Sequence, residues 1–258
     1  MLNRLVELSR LAKKRVIDGY YDKPIEVQRL HASLVQAIKM CKQTPVITEI
    51  KFASPSAGRI RETGKPLNIA KEMLAGGACA LSILTDPVSF QGGLHVLGEV
   101  ARDIRVPLIM KDIIVSPRQL RAAASCGADA VVLISELFSA GLAYVDLPTM
   151  VDQARDLCLE TLVEANGSSE FGRLLALKPD VYGINNRNLS NFEVDLETTR
   201  RVLAGTKLLE RPVVSESGIE TAADIKRLKT AGAHAFLIGT SIMRSQNVEE
   251  KVRELVNA

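Results

Sequence analysis

The sequence has no tryptophan, few aromatic residues of any kind, and only four cysteines and three histidines in 258 residues. The cysteines stand far apart with no CxxC pair, at Cys41, Cys79, Cys126 and Cys158, and the histidines are equally scattered. Closely spaced cysteines and histidines are what disulfide-rich domains and zinc sites need. We therefore expect neither a disulfide framework nor a metal site.

Long apolar runs are also missing. No stretch approaches the roughly 20 residues that span a bilayer, and the first residues, MLNRLVELSRLAKK, contain an early acidic residue and no signal-peptide core. Leucines recur there at helical spacing, at Leu2, Leu5, Leu8 and Leu11. This spacing favours an amphipathic helix packed on its own protein over one that seeks a membrane. We expect a cytoplasmic protein with no membrane partner.

Neither sign of charge dominates the composition. The 33 basic and 30 acidic residues leave a formal net charge of +3, and the basic residues are spread along the chain. A protein that tracks a phosphate backbone concentrates positive charge on one face, so a nucleic-acid partner is not expected. With 47% hydrophobic residues, the chain is of ordinary globular composition and long enough for one domain with a sizeable core.

Eight short apolar segments divide the chain at regular intervals. They lie at 46–51, 80–85, 107–111, 130–134, 160–165, 181–185, 212–217 and 235–239. Segments with helical spacing separate them, and this alternation indicates parallel strands joined by crossover helices. The sequence therefore predicts an α/β fold, a single (β/α)8 TIM barrel over 1–258, with 1–44 as a helical N-terminal extension.

Charged side chains occupy the carboxyl ends of several predicted strands, where barrel enzymes place their chemistry. The first strand supplies Glu49 and Lys51, the third Lys111 and the fifth Glu164. The alternative is a set of ion pairs that close the rim of the barrel. Burying several charges in one cavity is expensive unless function requires it, so the complete set favours a catalytic site.

Two further segments have the composition of a phosphate site. Ser215-Glu216-Ser217-Gly218 follows the seventh predicted strand and Ile238-Gly239-Thr240-Ser241 follows the eighth. In many barrels these two loops bind phosphate through backbone amides, although ordinary glycine turns are the simpler alternative. A long loop after the first strand, FASPSAGRIRETGKP, is a candidate lid. We expect a small phosphorylated substrate.

Together these segments resemble the indole-3-glycerol-phosphate synthase family. The matching motifs, in chain order, are EIKFASPS, LSILTD, PLIMKD, VVLI, LVEAN, GINNRNL, VVSESGI and FLIGTSIMR. The most specific are Glu-x-Lys-x-x-Ser-Pro-Ser and Met-Lys-Asp, and the match covers about 25–250. The resemblance implies ring closure of a carboxyphenylamino-deoxyribulose phosphate to indole-3-glycerol phosphate, with loss of carbon dioxide and water and without a cofactor.

The resemblance also implies catalytic roles. Lys111 would be the general acid at the ketone oxygen, while Glu164 and Lys51 would serve the later dehydration. Glu49 would orient Lys51, and Asn185 would hydrogen-bond near the sugar hydroxyls. A lysine is a poor acid at neutral pH, so we expect burial and the neighbouring cation to lower the lysine pKa values.

Substrate-binding roles follow in the same way. Arg187 would anchor the substrate carboxylate or hold a carboxylate of the site. The remaining residues implied to bind substrate are Ser217, Gly218, Gly239, Thr240 and Ser54 at the phosphate, and Ser82, Ile134, Leu237 and Phe90 along the pocket.

Several positions depart from the usual pattern of the family. Phe52 and Ala57 replace basic residues and Ile113 replaces a phenylalanine, which predicts weaker anion binding and less apolar contact around the aromatic ring. Asn166 in place of histidine and Thr240 in place of serine are expected to be tolerated.

Three other functions remain open at this point. A Schiff-base aldolase also combines a barrel, a phosphate site and a lysine, a sister isomerase shares the phosphate loops, and a scaffold would bind phosphate without turnover. Trapping with borohydride separates the first from the synthase, and activity of the purified chain excludes the last. Association with other enzymes of the pathway is also open.

Overall fold

A computed structural model of the chain describes residues 4–61, 64–206 and 209–258. Its eight parallel strands form a closed barrel, which confirms the predicted fold class. The barrel strands are β1 (Val46–Ile50), β4 (Ala80–Leu84), β5 (Leu108–Lys111), β6 (Ala130–Ile134), β7 (Glu160–Ala165), β8 (Val181–Asn185), β9 (Val213–Glu216) and β10 (Ala235–Ile238). Each lies within one residue or two of a predicted segment.

Helices cover the outside of the barrel and both of its ends. They are α1 (Arg4–Ile17), α2 (Leu34–Met40), α3 (Pro66–Ala75), α4 (Leu94–Asp103), α5 (Pro117–Ser125), α6 (Ser135–Ser139), α7 (Leu147–Asp156), α8 (Ser168–Leu177), α9 (Glu197–Leu203), α10 (Ala222–Thr230), α11 (Thr240–Arg244) and α12 (Val248–Val256). Among the residues described, no helix has both the length and the apolar character needed to cross a bilayer.

The predicted lid after the first strand contains regular structure. Strands β2 (Ala53–Ser54) and β3 (Gly58–Arg59) form a small antiparallel hairpin, separate from the barrel sheet. A hairpin needs only a few backbone hydrogen bonds and a tight turn, for which Gly58 supplies a positive φ of 61°. Positions 62 and 63 of the same loop lie outside the described residues.

The interior of the barrel is an apolar cluster separate from the larger cluster between strands and helices. It is built from side chains that alternate along the strands, as a pleated strand requires. Its strand members are Ile47, Ala80, Ile109, Ala130, Val132, Leu162, Val181, Val214, Ala235 and Leu237. Leu34 and Ile38 of α2 belong to the same cluster, so α2 closes the bottom of the barrel.

Polar contacts fix α2 and the segment before it to the bottom of the barrel. Glu160, at the start of β7, accepts hydrogen bonds from the Leu34 and Val35 amides at 2.6 and 3.1 Å. Arg29 pairs with the buried Asp129 at 2.8 Å. The carboxylate of Glu160 satisfies amides at the beginning of α2 that have no partner within the helix.

Helix α1 lies at the opposite end, over the carboxyl ends of the strands. Leu5 and Leu8 are buried as predicted, Leu11 is half-buried, and Leu2 lies outside the described residues. Arg15 is buried and contacts Asp86 at 2.9 Å and Asp112 at 3.0 Å. The extension therefore contacts both ends of the barrel, and its upper part touches the residue directly after Lys111.

Candidate active site

The inward face of the barrel changes from apolar to charged as the strands approach their carboxyl ends. Residues two apart on a strand share a face. The interior pairs are Ile47 with Glu49, Ile109 with Lys111, Leu162 with Glu164, and Val214 with Glu216. The strand register thus places a layer of charged side chains directly above the apolar interior.

Two lysines and three carboxylates meet in this layer. Lys111 Nζ lies 2.8 Å from Glu216 Oε2, 3.2 Å from Glu164 Oε1 and 3.5 Å from Glu49 Oε2. Lys51 Nζ lies 2.6 Å from Glu49 Oε1. The side chains of Glu49, Glu164 and Glu216 are at most 4% exposed, so their ionic contacts are barely screened by water.

The pKa of Lys111 moves in the direction opposite to the prediction. Burial alone lowers it, but Glu216, Glu164 and Glu49 together raise the pKa of Lys111 well above its ordinary value. The expectation of a lowered pKa was wrong because the nearest charges are carboxylates, and Lys51 is itself paired with Glu49. Lys111 is therefore fully protonated at neutral pH.

The carboxylates do not share one protonation behaviour. Burial raises the pKa of Glu49, but Lys51 and Lys111 outweigh burial, and the resulting pKa is lowered. For Glu216, burial and the neighbouring Glu164 both act upward, and they raise its pKa well above the ordinary range although Lys111 opposes them. Glu49 is an ionised partner for two lysines, whereas Glu216 is an acid that tends to keep its proton.

Asn185, the last residue of β8, contacts Glu164, and Arg187 follows two residues later. Asn185 donates a hydrogen bond from Nδ2 to Glu164 Oε2 at 3.0 Å, and its own Oδ1 accepts from the Arg187 backbone amide at 3.0 Å. The Arg187 side chain donates to the Phe192 carbonyl at 2.9 Å, and burial lowers its pKa. These contacts fix the orientation of the Asn185 amide beside the Glu164 carboxylate.

A cavity of about 480 Å³ opens above the charged layer. Its lining includes all but one of the residues predicted for the site: Glu49, Lys51, Ser54, Phe90, Lys111, Ile134, Glu164, Asn185, Arg187, Ser217, Gly218, Leu237, Gly239 and Thr240. The exception is Ser82, which is completely buried in β4, level with Glu49, and does not line the cavity. Its place in the interior layer follows from the register that a sequence alone does not reveal.

One side of the cavity is formed by the loops after β9 and β10. Ser217 and Gly218 both have positive φ, at 67° and 79°. A Cβ atom on Gly239 would lie 2.6 Å from Glu49 Oε1, so only glycine lets this backbone approach the charged layer. Gly239 therefore allows close packing against Glu49, and it also brings the backbone of this loop to the cavity wall.

The hairpin after β1, the strand that pairs with β10, contributes Ser54 to the rim of the cavity, and the loop after β4 contributes Phe90. The Ala53 amide donates to the Phe90 carbonyl at 3.2 Å, which ties the hairpin to the loop after β4. Ser54 Oγ accepts from the Ala57 amide at 3.2 Å, inside the turn of the hairpin. Ser54 is thus placed by its own loop, and no barrel strand holds it directly.

Departures from the family pattern have visible consequences. Ile113 is almost fully buried and lines the cavity, so this position keeps an apolar surface where a phenylalanine is usual. Asn166 donates to the Asn185 carbonyl at 2.6 Å and thereby supports the end of β8. Ala57 lines the cavity without charge, whereas Phe52 does not reach it.

Sequence reasoning assigned no role to several residues at this site. Glu216 is the most important, because it makes the shortest contact to Lys111. An acidic residue at the carboxyl end of a barrel strand was the available signal, but Glu216 was hidden within a segment interpreted as a phosphate loop. Leu8 of α1 and Arg244 at the end of α11 also line the cavity. Within the described ranges, no cluster of His, Cys, Asp or Glu is arranged to hold a metal ion.

Comparison with known solved structures supports the architecture. Thiamine phosphate pyrophosphorylase from Pyrococcus furiosus superposes with a TM-score of 0.59 at 16% sequence identity, covering 82% of this chain and 93% of that one. At this identity the similarity concerns the fold alone.

Sequence comparison is more specific. Proteins named indole-3-glycerol phosphate synthase from Rhodopirellula baltica, Microcystis aeruginosa and Koribacter versatilis are 44%, 42% and 41% identical to this chain. The aligned regions cover 83%, 81% and 82% of this chain and 81%, 71% and 79% of the relatives. The family model described as indole-3-glycerol phosphate synthase matches residues 4–255. With the barrel and its charged layer already in place, this match shows that the chain belongs to the indole-3-glycerol-phosphate synthase family.

Proposed function

We propose that the family's ring closure takes place in the cavity above the charged layer. Membership of the family makes the chain a carboxy-lyase of tryptophan biosynthesis. The substrate would be 1-(2-carboxyphenylamino)-1-deoxyribulose 5-phosphate, and the products indole-3-glycerol phosphate, carbon dioxide and water. The observation that carries the residue assignments is the convergence of Lys51 and Lys111 with three buried carboxylates at the floor of this cavity.

Lys111 is assigned to the first step, in which the aromatic carbon attacks the ketone. Its raised pKa ensures that the ammonium group is present when the substrate binds. As the carbon–carbon bond forms, the ketone oxygen becomes an alkoxide, which is a much stronger base than an amine and accepts the proton. The ammonium also stabilises the developing negative charge before transfer is complete.

The aromatic ring and its carboxylate are assigned to the side of the cavity near Arg187. The guanidinium is partly desolvated and donates from Nη1 to the Phe192 carbonyl. A guanidinium has five N–H donors, so others are available for a substrate carboxylate. Phe90, Ile134 and Leu237 provide apolar surface for the ring. After ring closure, loss of carbon dioxide restores the aromatic sextet, so the bond electrons remain in the substrate.

Dehydration is assigned to Glu164 with Lys51. The departing hydroxyl needs a proton, and the carbon beside the nitrogen must lose one to complete the indole. Glu164 lines the cavity and accepts a hydrogen bond from Asn185, and Asn185 would also hydrogen-bond the sugar hydroxyls. Glu49 holds Lys51 at 2.6 Å, and its negative charge would stabilise a cationic intermediate.

The phosphate is assigned to the corner formed after β9 and β10. The backbone amides of Ser217, Gly218, Gly239 and Thr240 would bind it, with Ser54 on the facing hairpin. This assignment puts the phosphate at the opposite end of the substrate from the aromatic ring.

The proposed reaction also implies a cytoplasmic enzyme, with a small phosphorylated molecule as its partner and no nucleic acid or membrane.

The direct test is to incubate the purified chain with the carboxyphenylamino-deoxyribulose phosphate, without added metal, and follow indole fluorescence and product mass. We expect turnover, and we expect Lys111→Ala to lower kcat by about 10²-fold or more because general acid and electrostatic stabilisation are lost together. Lys226→Ala, an exposed lysine of α10, is the matched control and should leave kcat unchanged.

Two outcomes would contradict these assignments. A folded chain that forms no indole product would exclude the synthase reaction in this protein. Covalent inactivation by borohydride only in the presence of substrate would indicate an imine to lysine, as in an aldolase, which the proposed chemistry does not form.

A further inference from the structure

Glu216 is buried beneath the cavity floor. Its carboxylate is completely inaccessible and does not line the cavity, whereas Glu164 does. Lys111 Nζ lies 3.2 Å from Glu164 Oε1 and 2.8 Å from Glu216 Oε2, so one ammonium group holds the two acids close together. Two ionised carboxylates held this close repel each other, whereas a proton on one of them allows a hydrogen bond between the two acids.

A glycine allows the Glu164 and Glu216 side chains to approach each other. Gly183 of β8 lies between the two acids: it pairs with Glu164 on β7 and with Val214, two residues before Glu216, on β9. A Cβ atom at Gly183 would stand 2.8 Å from Glu216 Oε1 and 3.2 Å from the Cα of Glu164. Because Gly183 has no side chain, the Glu216 carboxylate can extend across β8 towards Glu164.

Unsatisfied atoms and net charge point to the same place. Glu164 Oε1 and Glu216 Oε1 are both buried and accept no hydrogen bond among the described residues, although Lys111 Nζ makes an ionic contact with Glu164 Oε1 at 3.2 Å. Lys111 from β5 contacts both acids, and it also contacts Glu49, which pairs with Lys51 and interacts with Arg187. At the pair itself, two carboxylates therefore face the one ammonium of Lys111. One proton on the pair removes the excess buried charge and provides the missing donor.

We propose that Glu164 and Glu216 share one proton in the resting enzyme, with Glu216 as a positioning residue that keeps this proton available to Glu164. The proposal rests on the role assigned to Glu164 in dehydration. Burial and Glu164 raise the pKa of Glu216 well above its ordinary value, which agrees with a proton held at neutral pH.

The shared proton accounts for both transfers of the last step. Glu164 gives it to the departing hydroxyl, the C–O bond breaks and water leaves. The nitrogen lone pair forms a double bond to the ring carbon that carries the nitrogen, and the ring electrons form a double bond to the carbon that lost the hydroxyl. The carbon beside the nitrogen then releases a proton to the ionised pair, and the electrons of that C–H bond complete the indole. The pair ends the step as it began, and Lys51 stays protonated beside it as the neighbouring cation of the site.

Infrared difference spectroscopy with isotope-labelled glutamate tests the proton directly in the substrate-free enzyme. We expect wild-type protein at neutral pH to show the carbonyl band of a protonated glutamic acid that Glu216→Gln lacks, because the variant removes the acid whose raised pKa keeps the proton on the pair. Glu49→Gln should retain the band, since Glu49 is already ionised. Identical carboxylic-acid bands in wild type and Glu216→Gln would overturn the proposal.

Kinetics separate this function from a structural one. In Glu216→Gln we expect kcat to fall by about 10²-fold, with KM close to wild type because Glu216 does not line the cavity. The alkaline limb of the kcat profile, where the pair loses its proton, should move to lower pH. Loss of activity that is equal at every pH would contradict the shared proton, and absence of indole product in wild type would instead refute the proposed function.

Gly183→Ala is a second variant, which keeps both glutamates in the sequence but changes the distance between them. The added Cβ displaces the Glu216 carboxylate, so we expect the carboxylic-acid band to disappear and the alkaline limb to shift as in Glu216→Gln. Gly172→Ala is the matched control, because a Cβ there meets nothing within 4 Å on the exposed side of α8, and it should behave as wild type. A wild-type band and pH profile in Gly183→Ala would contradict the proposed contact.

Discussion

A single arginine connects the N-terminal helix to the strand end that carries the proposed acid. Arg15 of α1 contacts Asp86 and Asp112, and Asp112 also accepts hydrogen bonds from the hydroxyls of Tyr21 and Thr85 at 2.9 and 2.8 Å. Burial raises the pKa of Asp112, and Asp86 adds to this, although Arg15 opposes both. Two buried carboxylates thus depend on one cation for their neutralisation.

Arg15→Met should destabilise the protein by about 3–5 kcal/mol at neutral pH, because it leaves the two acids buried without a counter-charge. The loss should shrink as the pH falls through the raised pKa of Asp112, since protonation removes the unpaired charge. Urea unfolding at several pH values measures this. Arg10→Met, an exposed arginine of the same helix, is the control, and an equal loss in both variants would contradict the assignment.

At the scale of elements, the two ends of the barrel have separate tasks. The carboxyl ends of the strands carry the charged layer, while α2 closes the other end with Leu34 and Ile38. The first amides of α2 depend on Glu160, which also accepts from Ser33 Oγ at 2.5 Å. This carboxylate joins a helix of the extension to a strand of the barrel.

Glu160→Ala should lower the free energy of unfolding by about 1–3 kcal/mol, because helix amides lose their acceptor. Catalysis should be unaffected, since Glu160 lies at the start of β7 and Glu164 lies near its carboxyl end. Urea unfolding and kcat measured on the same preparation provide the comparison, with the exposed Glu72→Ala as control. A fall in kcat that parallels the loss of stability would show that the two ends are coupled.

At the scale of the whole molecule, the extension is integrated with the barrel. Leu5 and Leu8 of α1 belong to the large apolar cluster between strands and helices, and α2 belongs to the interior cluster. Because both ends of the extension contribute to a core, residues 1–44 should not unfold separately. The chain is therefore expected to behave as one cooperative unit.

Thermal unfolding should show one transition with equal calorimetric and van't Hoff enthalpies. Arg15→Met and Glu160→Ala, which perturb opposite ends, should each move that same transition to lower temperature. An additional early transition in either variant would show that the extension is an independent unit.

Much of this protein follows from its sequence alone. Eight apolar segments separated by helical spacing are enough to predict eight parallel strands, because alternation and length are local properties. The same local logic predicts that Glu49, Lys51, Lys111 and Glu164 share one end of the barrel, since carboxyl ends of parallel strands lie together. Motif order then indicates the family, and the comparisons show it.

Other properties were decided only by the tertiary structure. Whether Ser82 reaches the cavity depends on strand register, which places it level with Glu49 within the interior. The direction of the Lys111 pKa depends on how many carboxylates surround it, and Glu216 was the partner that the sequence did not single out. Local patterns determine which face a side chain occupies, but distances between charges, and therefore their protonation, arise only when distant strands are brought side by side.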